Sequence, residues 1–390
     1  MKTILNDCRG SVLILVAWVF AIMGIIAAFL LYRSELEWAA VVNLERNNRA
    51  TSLAEQVLQE HLALLRRDDT EQDSVSDPWF GENGYWDEQR DGFRVIVKIE
   101  DESSKPNLNI MSRGELELLD LSADEADVLI DWIDPDDEIS AEGVEAGYYQ
   151  SLDPAYKPRN GFLSTPREVL AVKDGREIYS KVASYGTVFG KYNINTLTER
   201  NLETLLLSSG FDKMWVERMV SDVKNYRTEN IFKSEDDLRQ LSAVSLDKLD
   251  ELRPIIRLNG IMNINFIDEK GLEIVLKRTG YDQDLAGKII HRRREEPFTE
   301  IGEAQSFFNT REKPLKVEQY FTTVSTIIRY QIWLIKSQRI YYLETVQERV
   351  PSDGVNKWRT RPIFRCVLRN QEAPGLPEPP RIGNEEEEDE

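Results

Sequence analysis

The sequence predicts an α+β fold: one long N-terminal helix, an antiparallel sheet, and a large helical domain inserted after the sheet's first strand. Three observations predict it. An apolar run at 11–32 continues as a helical pattern to about Arg67, with neither Pro nor Gly between Ile25 and Pro78. A strand-like alternation at 93–100 is separated from a β-rich block at 320–369 by a long stretch of helical character. Inside that stretch the pattern Asn-x-Asn occurs three times.

The run 11–32, SVLILVAWVFAIMGIIAAFLLY, carries no charge. At about 1.5 Å per residue it is long enough to cross the hydrocarbon core of a bilayer. A cleaved secretory signal has a shorter apolar region and a small-residue cut site, which Tyr32-Arg33-Ser34-Glu35 does not offer. A plain single-pass anchor fits the hydropathy. Beyond the run, Ala50, Leu53, Ala54, Val57, Leu58, Leu62 and Leu65 fall on one helical face. The helix is therefore half lipid-seeking and half amphipathic. The short leader MKTILNDCRG, ending in Arg9-Gly10 before the small Ser11, resembles a type IV prepilin signal. That resemblance implies cleavage by a prepilin peptidase after Gly10, removal of Cys8, and methylation at the new N-terminus Ser11. Pilin-like proteins carry Glu at the fifth mature position, to meet a neighbour's ammonium in the apolar fibre core; here that position is Leu15. A buried carboxylate without its partner is costly, so Leu15 suits a subunit that does not make that pair.

The strand 93–100, FRVIVKIE, alternates apolar and polar residues. The repeats follow, beginning at Asn107-Leu108-Asn109, Asn193-Ile194-Asn195 and Asn263-Ile264-Asn265. Copies two and three align without gaps. Ser112, Thr198 and Asp268 stand where each can cap the first helix of its copy. Gly210 and Gly280 stand where that helix must close, and Asp124, Asp212 and Asp282 where a second helix begins. Phe162, Phe232 and Phe298 each lead into a further helix. The unit reads as a helix–hairpin–helix. It resembles modules that grip nucleic-acid phosphates, but copy one lacks the hairpin glycine and the other two place an aspartate beside it. The formal charge of −20 also opposes a nucleic-acid partner. The repeats are read as structural.

Residues 129–149, LIDWIDPDDEISAEGVEAGYY, crowd Asp131, Asp134, Asp136, Asp137 and Glu145 into one segment. Crowded carboxylates repel unless a cation neutralises them. Oxygen donors without His or Cys favour Ca²⁺, and the spacing is not that of an EF-hand. A solvated acidic loop and a paired-carboxylate hydrolase are the rival readings. His61 and His291, the only histidines, read as helix-surface residues, and Cys366 as a buried strand residue. Four strands are expected at 320–330, 331–338, 339–349 and 358–369, rich in β-branched and aromatic residues.

The Asp-Trp-Ile-Asp-x-Asp-Asp block at 131–137, the Gly143-x-Glu145 segment, the pair Tyr148-Tyr149, Leu15 and the Asn-x-Asn repeats together resemble the minor pseudopilin K family of type II secretion. The resemblance implies a pilin-like fold interrupted by a helical domain. Its expected parts are a leader (1–10), a transmembrane half-helix (11–32), an amphipathic half (33–70), a first strand region (77–101), the insert (102–313), the remaining strands (314–370) and a disordered acidic tail (371–390). It implies bound calcium at the acidic loop, with no catalytic residue. It implies an inner-membrane protein with a periplasmic globular part. Its partners would be I-like and J-like minor pseudopilins, a major pseudopilin, the peptidase and membrane lipid. The alternative is a minor pilin of a type IV pilus or competence system whose repeats touch DNA. Mass spectrometry of the mature chain is expected to find Ser11 as the first residue in cells with a prepilin peptidase, and Met1 in cells without one. An intact Met1 in both would remove the prepilin reading.

Overall fold

A computed structural model describes residues 9–309, 315–352, 358–369 and 374–377. The leader before Arg9 and most of the acidic tail lie outside the described residues. Helix α1 (Arg9–Arg67) is unbroken over 59 residues. It is long and apolar enough to cross a membrane, which fits a single-pass anchor. The stripe from Ala50 to Leu65 is buried, as its spacing requires. The other half of α1 is exposed, including Leu36, Trp38, Val41 and Leu44 beyond the apolar run.

The stripe packs on a five-stranded sheet. Its strands are β1 (Tyr85–Arg90), β2 (Phe93–Asp101), β3 (Ile327–Lys336), β4 (Arg339–Pro351) and β5 (Trp358–Arg369), antiparallel and adjacent in that order. Val95, Val97, Ile99, Tyr330, Ile332, Leu334 and Leu343 face α1, while Ile96, Trp333 and Tyr342 pack on the opposite face. Strand alternation delivers both sets from the same residues.

The structure departs from the sequence reading at five places in the sheet and the helix packed on it. The break expected at Tyr330/Gln331 is absent: β3 runs through it, and the chain turns at Ser337, whose φ is 57°. Neither Tyr330 nor Gln331 is a turn former, so β-rich composition could not place the boundary. Residues 320–326 supply only the pair Phe321–Thr322, which bonds to Met262–Asn263 and not to the sheet. The polar strand β1 was not expected; the Asp91-Gly92 turn that joins it to β2 has positive φ at both residues (53° and 75°), as a tight hairpin needs. His61 is buried, with its ring 4.5 Å from that of Trp86, and desolvation lowers its pKa to about 4. Cys366, on the outer strand β5, is half-exposed.

The insert leaves after β2 and returns at β3. Each Asn-x-Asn copy makes the same bonds. The first Asn accepts from the backbone N–H of the second through Oδ1, at 3.0, 2.9 and 2.9 Å in copies one to three. The second Asn ties down the loop before the cap helix. Asn109 bonds both backbone groups of Leu163, Asn195 those of Phe232, and Asn265 those of Phe298. Each copy then closes with a parallel backbone pairing, Asn107 to Thr187, Asn193 to Arg257 and Asn263 to Thr322.

The helices follow the same rule. Ser112 caps α2 (Arg113–Leu116) in a capping box with Glu115. The second helix of that copy is α3 (Ala123–Ile133), and Ser122 caps it, not Asp124, which lies inside its first turn. In copy two Thr198 caps α4 (Glu199–Ser208) and Asp212 caps α5 (Lys213–Glu229). In copy three Asp268 caps α6 (Glu269–Thr279), whereas α7 (Leu285–Glu295) starts beyond Asp282, whose carboxylate accepts from Asp284 N–H. Gly210 and Gly280 close α4 and α6 at φ of 87° and 73°, where a Cβ would be strained.

Copy three joins the insert to the sheet. Asn263 and Asn265 each donate to the Asp73 carbonyl at 3.1 Å, and Asn263 also reaches Ser325 Oγ at 3.0 Å. Arg349 Nη1 donates to the Asp73 carboxylate at 2.6 Å, and Nη2 donates to Asp68. All of these groups are buried. Asn265→Ala would strand both the N–H and the carbonyl of Phe298, and should cost about 3 kcal/mol in unfolding measurements. The exposed Lys224→Ala should stay within about 0.5 kcal/mol. Equal effects would show that the asparagine bonds do not organise the insert.

Candidate functional site

Helix α3 ends at Ile133, and the acidic loop begins inside its last turn. Asp131 is fully buried and accepts the Ser140 N–H at 3.1 Å. Its carboxylate presses on Gly143: a Cβ there would stand 2.0 Å from Oδ2. Gly143 is thus required by close approach. Asp134 is the C-cap of α3 and is 5% exposed; Glu145 is the N-cap of the short helix Ala146–Gln150 and is 4% exposed.

These carboxylates are not fully satisfied. Neither oxygen of Glu145 has a hydrogen-bond partner, and Asp134 Oδ1 has none. Burial, followed by the charges of Asp131, Asp134 and Asp137, raises the Glu145 pKa to about 8. Burial and the Asp136 charge raise Asp134 to about 7, although Arg200 pulls the other way. Burial also raises Asp131. An unpartnered buried acid escapes its desolvation cost either by keeping a proton or by meeting a cation.

Asp136 and Asp137 stand apart, exposed at the loop tip. Asp136 Oδ1 accepts from Glu138 N–H, and Asp137 Oδ1 from Asn160 Nδ2 at 3.0 Å. The structure therefore brings Asp131, Asp134 and Glu145 into the protein and leaves the other two at the rim. Among the described residues, no three acidic, His or Cys side chains stand close enough to form a ready-made metal cage.

Three neighbours were missed in the sequence. Arg200 Nη2 reaches Asp134 Oδ2 at 2.7 Å and Asp136 Oδ2 at 3.5 Å. Asn160 holds the loop through the Asp136 carbonyl at 2.8 Å. Asp127 accepts the Glu142 N–H at 3.2 Å and pairs with Arg113. A signal existed for Arg200: it aligns with Lys270 of copy three, which pairs with Asp120 of copy one. A base at this place in each later copy meets an acid of the first.

The basic run Arg292-Arg293-Arg294 on α7 is largely committed inside the chain. Arg293 donates to the carbonyls of Ile264 and Ile267, and Arg292 lies beside Glu296 and Glu303. Gly10, Ser11 and Leu15 all lie within the backbone of α1.

Residues 111–191 match the family described as type II secretion system (T2SS), protein K. No curated protein matches the chain. Among solved structures, the chain is similar to one from the crystal structure of the GspK-GspI-GspJ complex from the enterotoxigenic Escherichia coli Type 2 Secretion System. The identity is 11%, the match covers 84% of this chain and 98% of that one, and the TM-score is 0.48. The region matched by the family contains α2, α3, the acidic loop and the Tyr148-Tyr149 pair. The match to the type II secretion system protein K family is confined to residues 111–191, within the insert.

Proposed function

We propose that this chain is a minor pseudopilin at the tip of a type II secretion pseudopilus. It acts as a structural part in assembly initiation and in protein export across the outer membrane. In this reading α1 anchors it in the inner membrane and the globular part is periplasmic. A prepilin peptidase cuts after Gly10, and Ser11 is methylated. The observation that carries the reading is an insert matching protein K at 111–191, mounted on the far end of a half-packed helix. Arg339 at the start of β4 bonds Asn43, and Arg349 near its end bonds Asp68, so the sheet runs along α1. Asp101 and Ile328 pair at the Asp68 end. The insert thus sits on the end of the sheet away from the apolar half of α1, where its bulk opposes addition of a further subunit above it.

The exposed Leu36, Trp38, Val41 and Leu44 need apolar cover that the chain itself does not provide. The helices of I-like and J-like minor pseudopilins, and of the major pseudopilin below, suit them. Leu15 adds no carboxylate to that packing. Co-expression should yield a stable complex with the two minor pseudopilins. Trp38→Glu together with Leu44→Glu should break the complex and stop secretion while the isolated chain unfolds as before. Normal secretion by the double variant would sink the assembly role.

The donor set at the acidic loop fits calcium: hard oxygens, buried, three of them without partners. Asp134 and Glu145 would hold it, with Asp131, Asp136 and Asp137 supplying further oxygens. Bound Ca²⁺ would supply positive charge that lets the buried acids ionise together. In chelator the folded chain binds more protons than the unfolded one between the ordinary carboxyl values and about 7 and 8. Its stability should therefore fall as pH rises through that window and level off above it. Calcium at a hundredfold excess over its dissociation constant should restore about 2.7 kcal/mol at pH 8. Glu145→Gln with Asp134→Asn should reduce the pH dependence to the part left by Asp73, whose pKa burial also raises to about 7, and should abolish the calcium increment. An equal increment in the double variant would exclude this loop as the site.

A further inference from the structure

Where α1 leaves the sheet, it and the β3–β4 turn bound an open groove of about 970 Å³. Arg46, Arg49, Lys336, Arg339 and Arg369 line it, against the single carboxylate of Glu45. In a chain of net charge −20 this is a concentrated positive site. Its cations are sparsely neutralised. Glu45 lies 3.6 Å from Arg49. Arg339 bonds the neutral Asn43 at 2.7 Å. Lys336 and Arg369 lie over the rings of Phe93 and Tyr341. Among the described residues Arg46 has neither a hydrogen bond nor an ion pair. Like charges lining one groove repel, and a polyanion relieves the repulsion.

We propose that the occupant is the chain's own acidic segment 385–390, EEEEDE. Its six carboxylates complement the five cations. The tether fits as well. Strand β5 ends at Arg369, which itself lines the groove. The chain is next pinned at Pro374, whose carbonyl accepts from Trp333 Nε1 at 3.3 Å. Trp333 lies on β3, about 10 Å in strand rise from Lys336. The eight residues from Pro377 to Glu385 reach up to about 26 Å, enough to pass around the turn. So short a tether gives an effective concentration on the order of millimolar. The bilayer is the less suitable polyanion: Arg46 stands about 21 Å along α1 from Tyr32 at about 1.5 Å per residue, past a headgroup layer of about 5–8 Å.

Docking there would brace α1 at its exit. Ala50 is the first buried residue of its stripe, and the Arg339–Asn43 bond is the one tie across the groove among the described residues. The seated segment would bridge helix and turn and limit the swing of the membrane half.

The test is zero-length carbodiimide cross-linking of the full chain in neutral detergent, read by mass spectrometry of tryptic peptides. The Lys181–Glu125 pair, 2.7 Å apart, reports that the reagent worked. Lys336 is expected to form an amide with a carboxylate of the 382–390 peptide. That link should fall severalfold in Arg46→Glu, and also at about 1 M salt, where the screening length is about 3 Å. Three results would overturn the proposal. One is absence of the link while Lys181–Glu125 forms. A second is a link indifferent to salt and to Arg46→Glu. The third is a Lys336 that phosphatidylglycerol nanodiscs protect equally with and without residues 385–390, which would make lipid the occupant.

Discussion

The backbone carbonyl of Asp73 accepts from Asn263 and Asn265, while its carboxylate accepts from Ser325 N–H and Arg349. Asp73 stands six residues beyond the end of α1, so these bonds join the helix exit, the third repeat and β4 at one buried point. Asp101, at the end of β2, adds its carboxylate to the Ser325 hydroxyl at 2.7 Å. A sheet interrupted by more than two hundred residues must bring β2 and β3 back into register at a defined place. Buried polar groups do this because a misplaced one loses its partner and keeps its desolvation cost. Apolar packing alone would tolerate sliding.

The acidic loop rests on the same physics with the opposite outcome. In the Asp73 network each buried carboxylate meets a donor. At Glu145 and Asp134 the burial is comparable, but partners are missing. The loop is shaped by backbone constraints that have little to do with charge: the end of α3, the tight approach of Gly143 to Asp131, and the Asn160 bonds. Those constraints hold acids near one another that would otherwise separate. The protein therefore carries a local electrostatic cost at a defined position, as functional sites often do.

Much of the architecture was legible in the residues. The α1 stripe, the caps at Ser112, Thr198, Asp212 and Asp268, and the closing glycines all follow from interactions within a few residues. The Asn-x-Asn repeat showed itself by spacing, although its purpose did not: the loop partners of Asn109, Asn195 and Asn265 lie 33 to 54 residues away, and Asp73 lies 192 residues from Asn265. Strand limits were less legible. Strand β1 is polar because it is an edge, and β3 has no turn residue at its middle. The burial of His61 depends on Trp86 from that unexpected strand.

The sequence by itself determined the long two-part helix, the repeated unit, the order strand–insert–strands and the acidic loop. Each is written in periodicity, turn chemistry or local charge density, which neighbouring residues specify without help. Only the tertiary structure decided which acids are buried, that Arg200 reaches Asp134, that copy three fastens the insert through Asp73, and that cations from α1, β3, β4 and β5 meet in one groove. Those outcomes depend on contacts between residues 66 to 300 or more positions apart. Their energies come from desolvation and charge pairing, which have no value until the chain has closed around them.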